Sequence, residues 1–477
     1  MHVTFDPAAA AESAMCAVES GQGPLILSPA APLDSARQLI RRRYTQVSGR
    51  TIHYHQSVFY MWGGTHYHET SRDEVRAIVY EFLEGAFRLD RDGNATSFNP
   101  NRAKVGDVVE ALAAAAQLPE VVRPPTWLEH KTDNSPSDIF ACSNGLLHLP
   151  TRTLLAHTPA YFSVNAVEYP YDPNAGEPTA WLEFLDSLWH GDAESVETLQ
   201  ELFGLLLTPN TAHQKCFLLV GPKRCGKGTI ARVARGIIGA NNVAGPTLGS
   251  LAQNFGLAPL IGKPLAIISD ARLGGRSDVQ VVVERLLSIT GEDWLSVNRK
   301  FLPAWNGQLP TRFLLLTNEL PKLGDASGAI ASRFIVLRLV RSFYGQEDLS
   351  LTQKLLEEAP KILLWALVGR DRLASRGYFV QPRSARQAAE ELTDLASPMG
   401  AFVRTKCILD PHSCVQCDML YDAWTRWCDE QHREHKGTIQ SFGRDLRAVV
   451  PDLEVTQPRD QRTGERVRYY QGIGLLS

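Results

Sequence analysis

Between residues 216 and 339 the chain alternates short apolar runs with helical stretches. The runs Phe217-Leu218-Leu219-Val220, Pro264-Leu265-Ala266-Ile267-Ile268 and Phe313-Leu314-Leu315-Leu316 lack polar alternation, so each predicts a strand covered on both faces. Amphipathic segments between them, such as residues 230–238, supply the covering helices. This rhythm predicts an α/β core over 211–345 built on a mostly parallel sheet.

The flanking segments read differently. Residues 1–48 are Ala- and Pro-rich with weak periodicity, and predict a poorly defined arm. An α+β domain is expected over 49–142: a hairpin over 52–67, then a helix from the capping box Ser71-Arg72-Asp73-Glu74 to about residue 84, and a second helix over about 105–117. A third domain over 143–210 begins with short strands at 143–149 and 153–159, crosses a Pro-rich link at 169–178, and ends in helices near 179–188 and 195–207. A helical connector over 346–397 leads to a compact unit over 398–477, where two helices (418–431 and 438–450) precede a strand–turn–strand over 453–472. That order predicts a winged helix.

With 477 residues and a net charge of −3, the chain has room for about three domains, and any nucleic-acid surface must be local. Residues 1–20 lack a basic start, and no run of about 20 apolar residues is present, so a soluble cytoplasmic protein, without a membrane partner, is expected. Cys407, Cys414, Cys417 and Cys428, with His412, His432 and His435 nearby, contain one C-x-x-C. They lack a second ligand pair at finger spacing and read mainly as core. His53, His55, His66 and His68 are explained by alternation along two strands joined by Gly63-Gly64, without a metal.

The strand at 217–220 empties into Gly221-Pro222-Lys223-Arg224-Cys225-Gly226-Lys227-Gly228-Thr229, which opens a helix. A triphosphate needs a concave run of backbone N–H donors, which glycines at tight turns can present, and a lysine that reaches the β- and γ-phosphates. These nine residues are therefore the expected ATP site of a P-loop NTPase, with Lys227 as its cation. Gly228 stands where a Ser or Thr hydroxyl normally ligates Mg²⁺, and the first hydroxyl comes at Thr229. The strand at 264–268 leads to Asp270, expected to face Mg²⁺ directly or through water together with Thr229. The strand at 312–317 leads to Asn318, an amide placed to meet the γ-phosphate or the attacking water. Arg333 follows, able to stabilise phosphoryl charge in a neighbouring subunit. Arg444 and Arg447 on the last helix, and Arg459, Arg462, Arg466 and Arg468 around the wing, are candidate duplex contacts.

In this order and spacing the elements resemble the superfamily 3 helicase core of the phage and plasmid primase-helicase family. Leu286-Leu287-Ser288-Ile289-Thr290-Gly291-Glu292-Asp293 with Lys300 looks like that family's extra motif, a loop carrying a basic residue into the DNA channel. Residues 144–207 are similar to its helicase-preceding domain, and residues 420–475 to its winged helix. The resemblance implies an AAA+-like fold and a homo-oligomeric ring, expected to be a hexamer. It further implies ATP- and Mg²⁺-driven separation of forked DNA during replication of a mobile element, and 3′-to-5′ travel along the single strand, with Lys300 pulling and Arg299 assisting. A separate primase or polymerase is a candidate partner, because only Asp90-Arg91-Asp92 superficially offers a primase carboxylate pair, and beside Gly93-Asn94 it reads as a turn.

Two matters stay open on the residues. No second acid stands beside Asp270, so the general base lies among Asp270, Glu284 and Glu319. An origin-binding initiator or defence-type ATPase without processive unwinding is the alternative function, and a nucleoside monophosphate kinase a distant third, since it shares the Gly-Lys-Gly-Thr ending at 226–229.

Overall fold

The structure, a computed structural model, describes residues 24–128, 133–271, 276–323, 328–431, 433, 436–459 and 466–476. It divides into two compact units, Met1–Tyr171 and Asp172–Ser477.

In the first unit, helix α1 (Pro32–Arg43) buries Ala36 and Leu39 in one core with Val75 and Val79 of α2 (Arg72–Glu84) and Val105 and Leu112 of α3 (Arg102–Ala116). Part of the expected arm is thus core. Its periodicity is faint because the buried face includes Ser35 and Ala36, whose side chains carry little hydrophobic signal. The capping box is formed: Ser71 Oγ accepts from Glu74 N–H at 3.2 Å, and the Glu74 carboxylate accepts from Ser71 N–H at 2.7 Å.

The expected hairpin is a three-stranded meander of β1 (Ile52–His55), β2 (Val58–Trp62) and β3 (Tyr67–Thr70). Gln56 and Ser57, both at positive φ, make its first turn, and Gly63-Gly64 lie in the second connection. His53 and His55 are buried on β1; burial, then the charge of Arg50, push His53 down to about 3. Among the described residues no group of three His, Cys, Asp or Glu is placed to hold a metal. Asp90 does close a turn: its carboxylate accepts from Asn94 N–H at 2.8 Å and Asp92 N–H at 2.9 Å. Strands β4 (Ile139–Cys142), β5 (Gly145–His148) and β6 (Thr153–Leu155) form a second antiparallel sheet that spans the division expected at 142/143.

The second unit opens with α4 (Thr179–Leu188) and α5 (Ala193–Leu206). Its central sheet is parallel, with β7 (Cys216–Val220) between β12 (Arg312–Thr317) and β13 (Phe334–Arg338), and with β9 (Leu265–Ile268) and the short β8 (Val243–Ala244) beyond β12. The strands β7, β9 and β12 are the apolar runs of the sequence. Helices α6 (Lys227–Ile238) and α7 (Arg276–Thr290) cover it, and β10 (Leu295–Arg299) with β11 (Leu302–Gly307) projects as a hairpin between α7 and β12 in chain order. Helices α8 (Leu351–Glu357), α9 (Ala359–Arg376) and α10 (Arg386–Ala396) follow. No helix among the described residues is long and apolar enough to cross a membrane.

At the foot of β12 the Arg312 guanidinium is buried without a carboxylate partner among the described residues. It donates to Thr208 O at 2.6 Å, Leu205 O at 3.3 Å, Leu206 O at 3.4 Å and Pro310 O at 3.0 Å, which caps carbonyls at the C-terminal end of α5 and ties them to the start of β12. Burial pushes its pKa down to about 9. Arg312→Ala takes this donor from Leu206 O and Thr208 O and opens a cavity. A loss of about 3–5 kcal/mol in urea unfolding is the expected outcome, and an unchanged midpoint would rule out this capping role.

The C-terminal segment comprises α11 (Pro398–Lys406), β14 (Cys407–Gln416), α12 (Cys417–Glu430), α13 (Ile439–Val449), β15 (Glu454–Thr456) and β16 (Tyr469–Leu475), with antiparallel sheet order β14-β16-β15. Phe402, Trp424, Trp427, Phe442 and Tyr470 fill its core. Cys407, Cys417 and Cys428 are buried in that core, while Cys414 is exposed. His432 and His435 lie outside the described residues.

Candidate functional site

The strand β7 is buried along its whole length and ends at Val220, and α6 begins at Lys227. The connection from Gly221 to Gly226 is shaped by the segment leaving β13. A Cβ on Gly221 would stand 2.3 Å from Leu339 O, so only glycine lets the two backbones pass. Further along, Ser342 Oγ donates to Lys223 O at 2.8 Å and Phe343 N–H to Arg224 O at 2.9 Å. With Arg224 at φ 57° and Gly226 at φ 93°, the loop turns its amides inward. None of the N–H groups from Lys223 to Gly228 finds an acceptor among the described residues. A run of unpaired donors at the N-terminus of a 12-residue helix is a binding surface for an anion.

Sheet order places the other candidates around it. Thr317 is in register with Val220, so Asn318 leaves β12 beside Gly221. Lys227 Nζ donates to Asn318 Oδ1 at 3.1 Å, Gly221 O at 2.7 Å and Pro222 O at 2.8 Å, which satisfies its three protons within the site. Ile268 is in register with Leu315, so Asp270 leaves β9 at the same carboxyl edge of the sheet, exposed. Lys227, Asn318 and Asp270 thus share one edge. Glu319 is exposed directly after Asn318, and Glu284 is exposed on α7. Thr229 Oγ1 accepts from Arg232 Nη2 at 3.1 Å.

Arg333 lies elsewhere. It immediately precedes β13, whose Phe334 is in register with Cys216, the first residue of β7. It is therefore at the amino edge of the sheet, about 16 Å from the glycine loop along the five residues of β7. Its Nη1 donates to Gln214 Oε1, and Lys215 Nζ donates to Ser332 O at 2.6 Å. Burial, then the charge of Arg333, lower the pKa of Lys215. Neither cation has a carboxylate partner among the described residues. Lys215 was missed in the sequence because its pairing with Arg333 comes only from strand register.

The β10–β11 hairpin is anchored by buried Val297 and Trp305 and carries Lys300 and Phe301 at its tip. Phe301 is 93% exposed at φ 60°, and Lys300 Nζ stands 5.1 Å from its ring centroid. Arg299 Nε donates to Pro303 O at 3.0 Å. A non-glycine residue at positive φ, presenting an aromatic ring to solvent, is costly for folding alone. Sequence reading singled out the cations and passed over Phe301, whose exposure no pattern reveals.

In the C-terminal segment Arg444 and Arg447 are exposed on α13, and Arg444 Nε donates to Asp445 Oδ1 at 2.9 Å. Burial, then the Cys417 thiol, push the Tyr470 phenol up, while Arg447 and Arg468 pull it back. Arg459 and Arg466 face each other across an antiparallel bridge, both exposed. Arg462 lies outside the described residues.

Residues 219–333 match the model of a family of unknown function (DUF5906), a span that contains Lys227, Asp270, Asn318 and Arg333. Residues 37–190 match a second model, described as D5 N terminal like. Among solved structures, the chain is similar to the A form apo structure of the NrS-1 C terminal region, at 12% identity and a TM-score of 0.52, covering 93% of this chain and 100% of that one. Another apo structure of the NrS-1 C terminal region gives 13% identity and a TM-score of 0.51, covering 93% and 99%. These are likenesses of fold.

Proposed function

We propose that the protein is an ATP-dependent DNA helicase of phage, prophage or plasmid replication, with a superfamily 3 P-loop core and a C-terminal winged helix. The observation that carries the reading is the run of unpaired N–H donors from Lys223 to Gly228, with Lys227 held against Asn318 beside it. A triphosphate seated there exchanges the carbonyl partners of Lys227 for phosphate oxygens. Asp270 would hold Mg²⁺ directly or through water, and the ion would supply charge neutralisation at the β- and γ-phosphates. Thr229 fits direct ligation less well, because its hydroxyl is engaged by the Arg232 cation. Asn318 positions the γ-phosphate or the attacking water. Arg333, too far from its own loop, serves the pocket of the next subunit in a ring, with Lys215 beside it. The match to a D5 N terminal like model supports the replication setting, and the NrS-1 likeness is in keeping with the fold.

The hairpin tip is the proposed contact to single-stranded DNA, with Lys300 on a phosphate and Phe301 stacked on a base. The helices and sheet over 398–476 are the proposed duplex grip, using Arg444, Arg447 and Arg466. Strand displacement on forked DNA, measured together with DNA-stimulated ATP hydrolysis, tests the whole reading. Hydrolysis and DNA binding without unwinding on any fork would favour an initiator-type ATPase instead. Lys300→Ala and Phe301→Ala are each expected to keep basal hydrolysis and to weaken single-strand binding by about tenfold in fluorescence anisotropy. Equal loss of DNA-free hydrolysis would assign the tip to the fold or to the nucleotide site.

A further inference from the structure

Gly228 removes the side chain that normally follows the loop lysine, and the space is taken from one turn along α6. A Cβ built on Gly228 would lie 3.2 Å from Arg232 Nη1. Side chains on a helix lean toward its N-terminus, so a residue four places on reaches back to this point. The guanidinium is steadied there by two hydroxyls: Nη2 donates to Thr229 Oγ1 at 3.1 Å and Nε to Thr352 Oγ1 of α8 at 3.0 Å. Both partners are neutral, and Arg232 has no carboxylate among the described residues. A full positive charge is thereby held beside unpaired N–H groups and the positive end of α6, where its own folding electrostatics are unfavourable. An anion at the loop reverses that sign.

Resting on the nucleotide-binding reading of the loop, we propose that Arg232 is a phosphate-binding residue that occupies the position vacated at Gly228. It supplies permanent charge to the nucleotide phosphates where related loops rely on a hydroxyl-held Mg²⁺. Nucleotide binding then depends less on the metal than in a loop with Ser or Thr at that place. The fork geometry suits two phosphate oxygens, which a lysine ammonium cannot match.

The test is calorimetric titration of the full chain with ATPγS, in Mg²⁺ and in EDTA. The wild-type protein is expected to bind in both. Arg232→Gln should weaken binding by about 10- to 100-fold, most clearly in EDTA, and Arg232→Lys should recover only part of it. Gly228→Ser brings a Cβ against the guanidinium and adds a hydroxyl, so it should raise the ratio of affinities with and without Mg²⁺. Thr352→Val, which removes only the tie to α8, should stay within about twofold of wild type. Wild-type affinity in Arg232→Gln would overturn the proposal, and so would a loss in Thr352→Val equal to that in Arg232→Gln, which would make Arg232 a tie between helices. Lys227→Ala separates the two levels: if it loses binding while Arg232→Gln does not, the loop reading stands and the role of Arg232 falls. A wild-type protein that binds no nucleotide overturns both.

Discussion

Replacing Lys227 by alanine is expected to abolish ATP hydrolysis, a loss of about 10²-fold or more, while the protein unfolds at nearly the wild-type temperature. The side chain makes its hydrogen bonds to Gly221 O, Pro222 O and Asn318 Oδ1 across a half-exposed loop, so removing it costs little packing. What it removes is an ammonium held at the loop whose amides, from residue 223 to 228, have no acceptor among the described residues. Lys223 and Arg224 do not replace it: their carbonyls are tied to the segment after β13, and the Arg224 guanidinium lies 3.4 Å from Glu347. Nucleotide binding and phosphate release, measured on the purified variant beside a thermal melt, check the expectation. Near-normal turnover would remove the glycine loop from the chemistry.

For Arg333→Ala the expected outcome is a protein that binds ATP and hardly hydrolyses it, with a loss of about 10³-fold or more. The reason lies in the parallel register of β7 and β13. Cys216 opposite Phe334 puts Arg333 at the amino edge of the sheet, whereas the glycine loop is at the carboxyl edge. No side chain spans that separation within one subunit. On the proposed reading, Arg333 and Lys215, both without a carboxylate partner among the described residues, would meet a phosphoryl group only in a pocket completed by the next subunit. Mixing Arg333→Ala with Lys227→Ala should then restore measurable hydrolysis, because a subunit with intact Arg333 can complete an intact pocket on its neighbour. If subunit exchange is demonstrated and the mixture stays inactive, Arg333 does no more than hold Gln214 at the start of β7.

Where the sequence was legible, the signal was local and chemically specific. The capping box at Ser71 and Glu74 forms as read, because one turn of backbone brings its two partners together. The strand to Val220 and the helix from Lys227 flank the glycine loop as the motif requires. Local signals failed where burial did not announce itself. The helix Pro32–Arg43 turns small residues to the core, and the strand Cys407–Gln416 buries few residues and breaks register between Leu409 and Cys414, so neither shows a clean period.

Periodicity and motif spacing by themselves determined that the second half of the chain holds buried strands, that one of them feeds a glycine-rich loop opening a helix, and that Asp270 and Asn318 follow two others. The side chains that finish or oppose that site were decided only by tertiary structure. Sheet order set Asn318 against Lys227, parallel register sent Arg333 to the far edge, and the placement of α8 brought Thr352 to Arg232. The physical reason is that an apolar run states how deeply a strand is buried, whereas its neighbours in the sheet depend on pairings between segments distant in the chain, which no local pattern encodes.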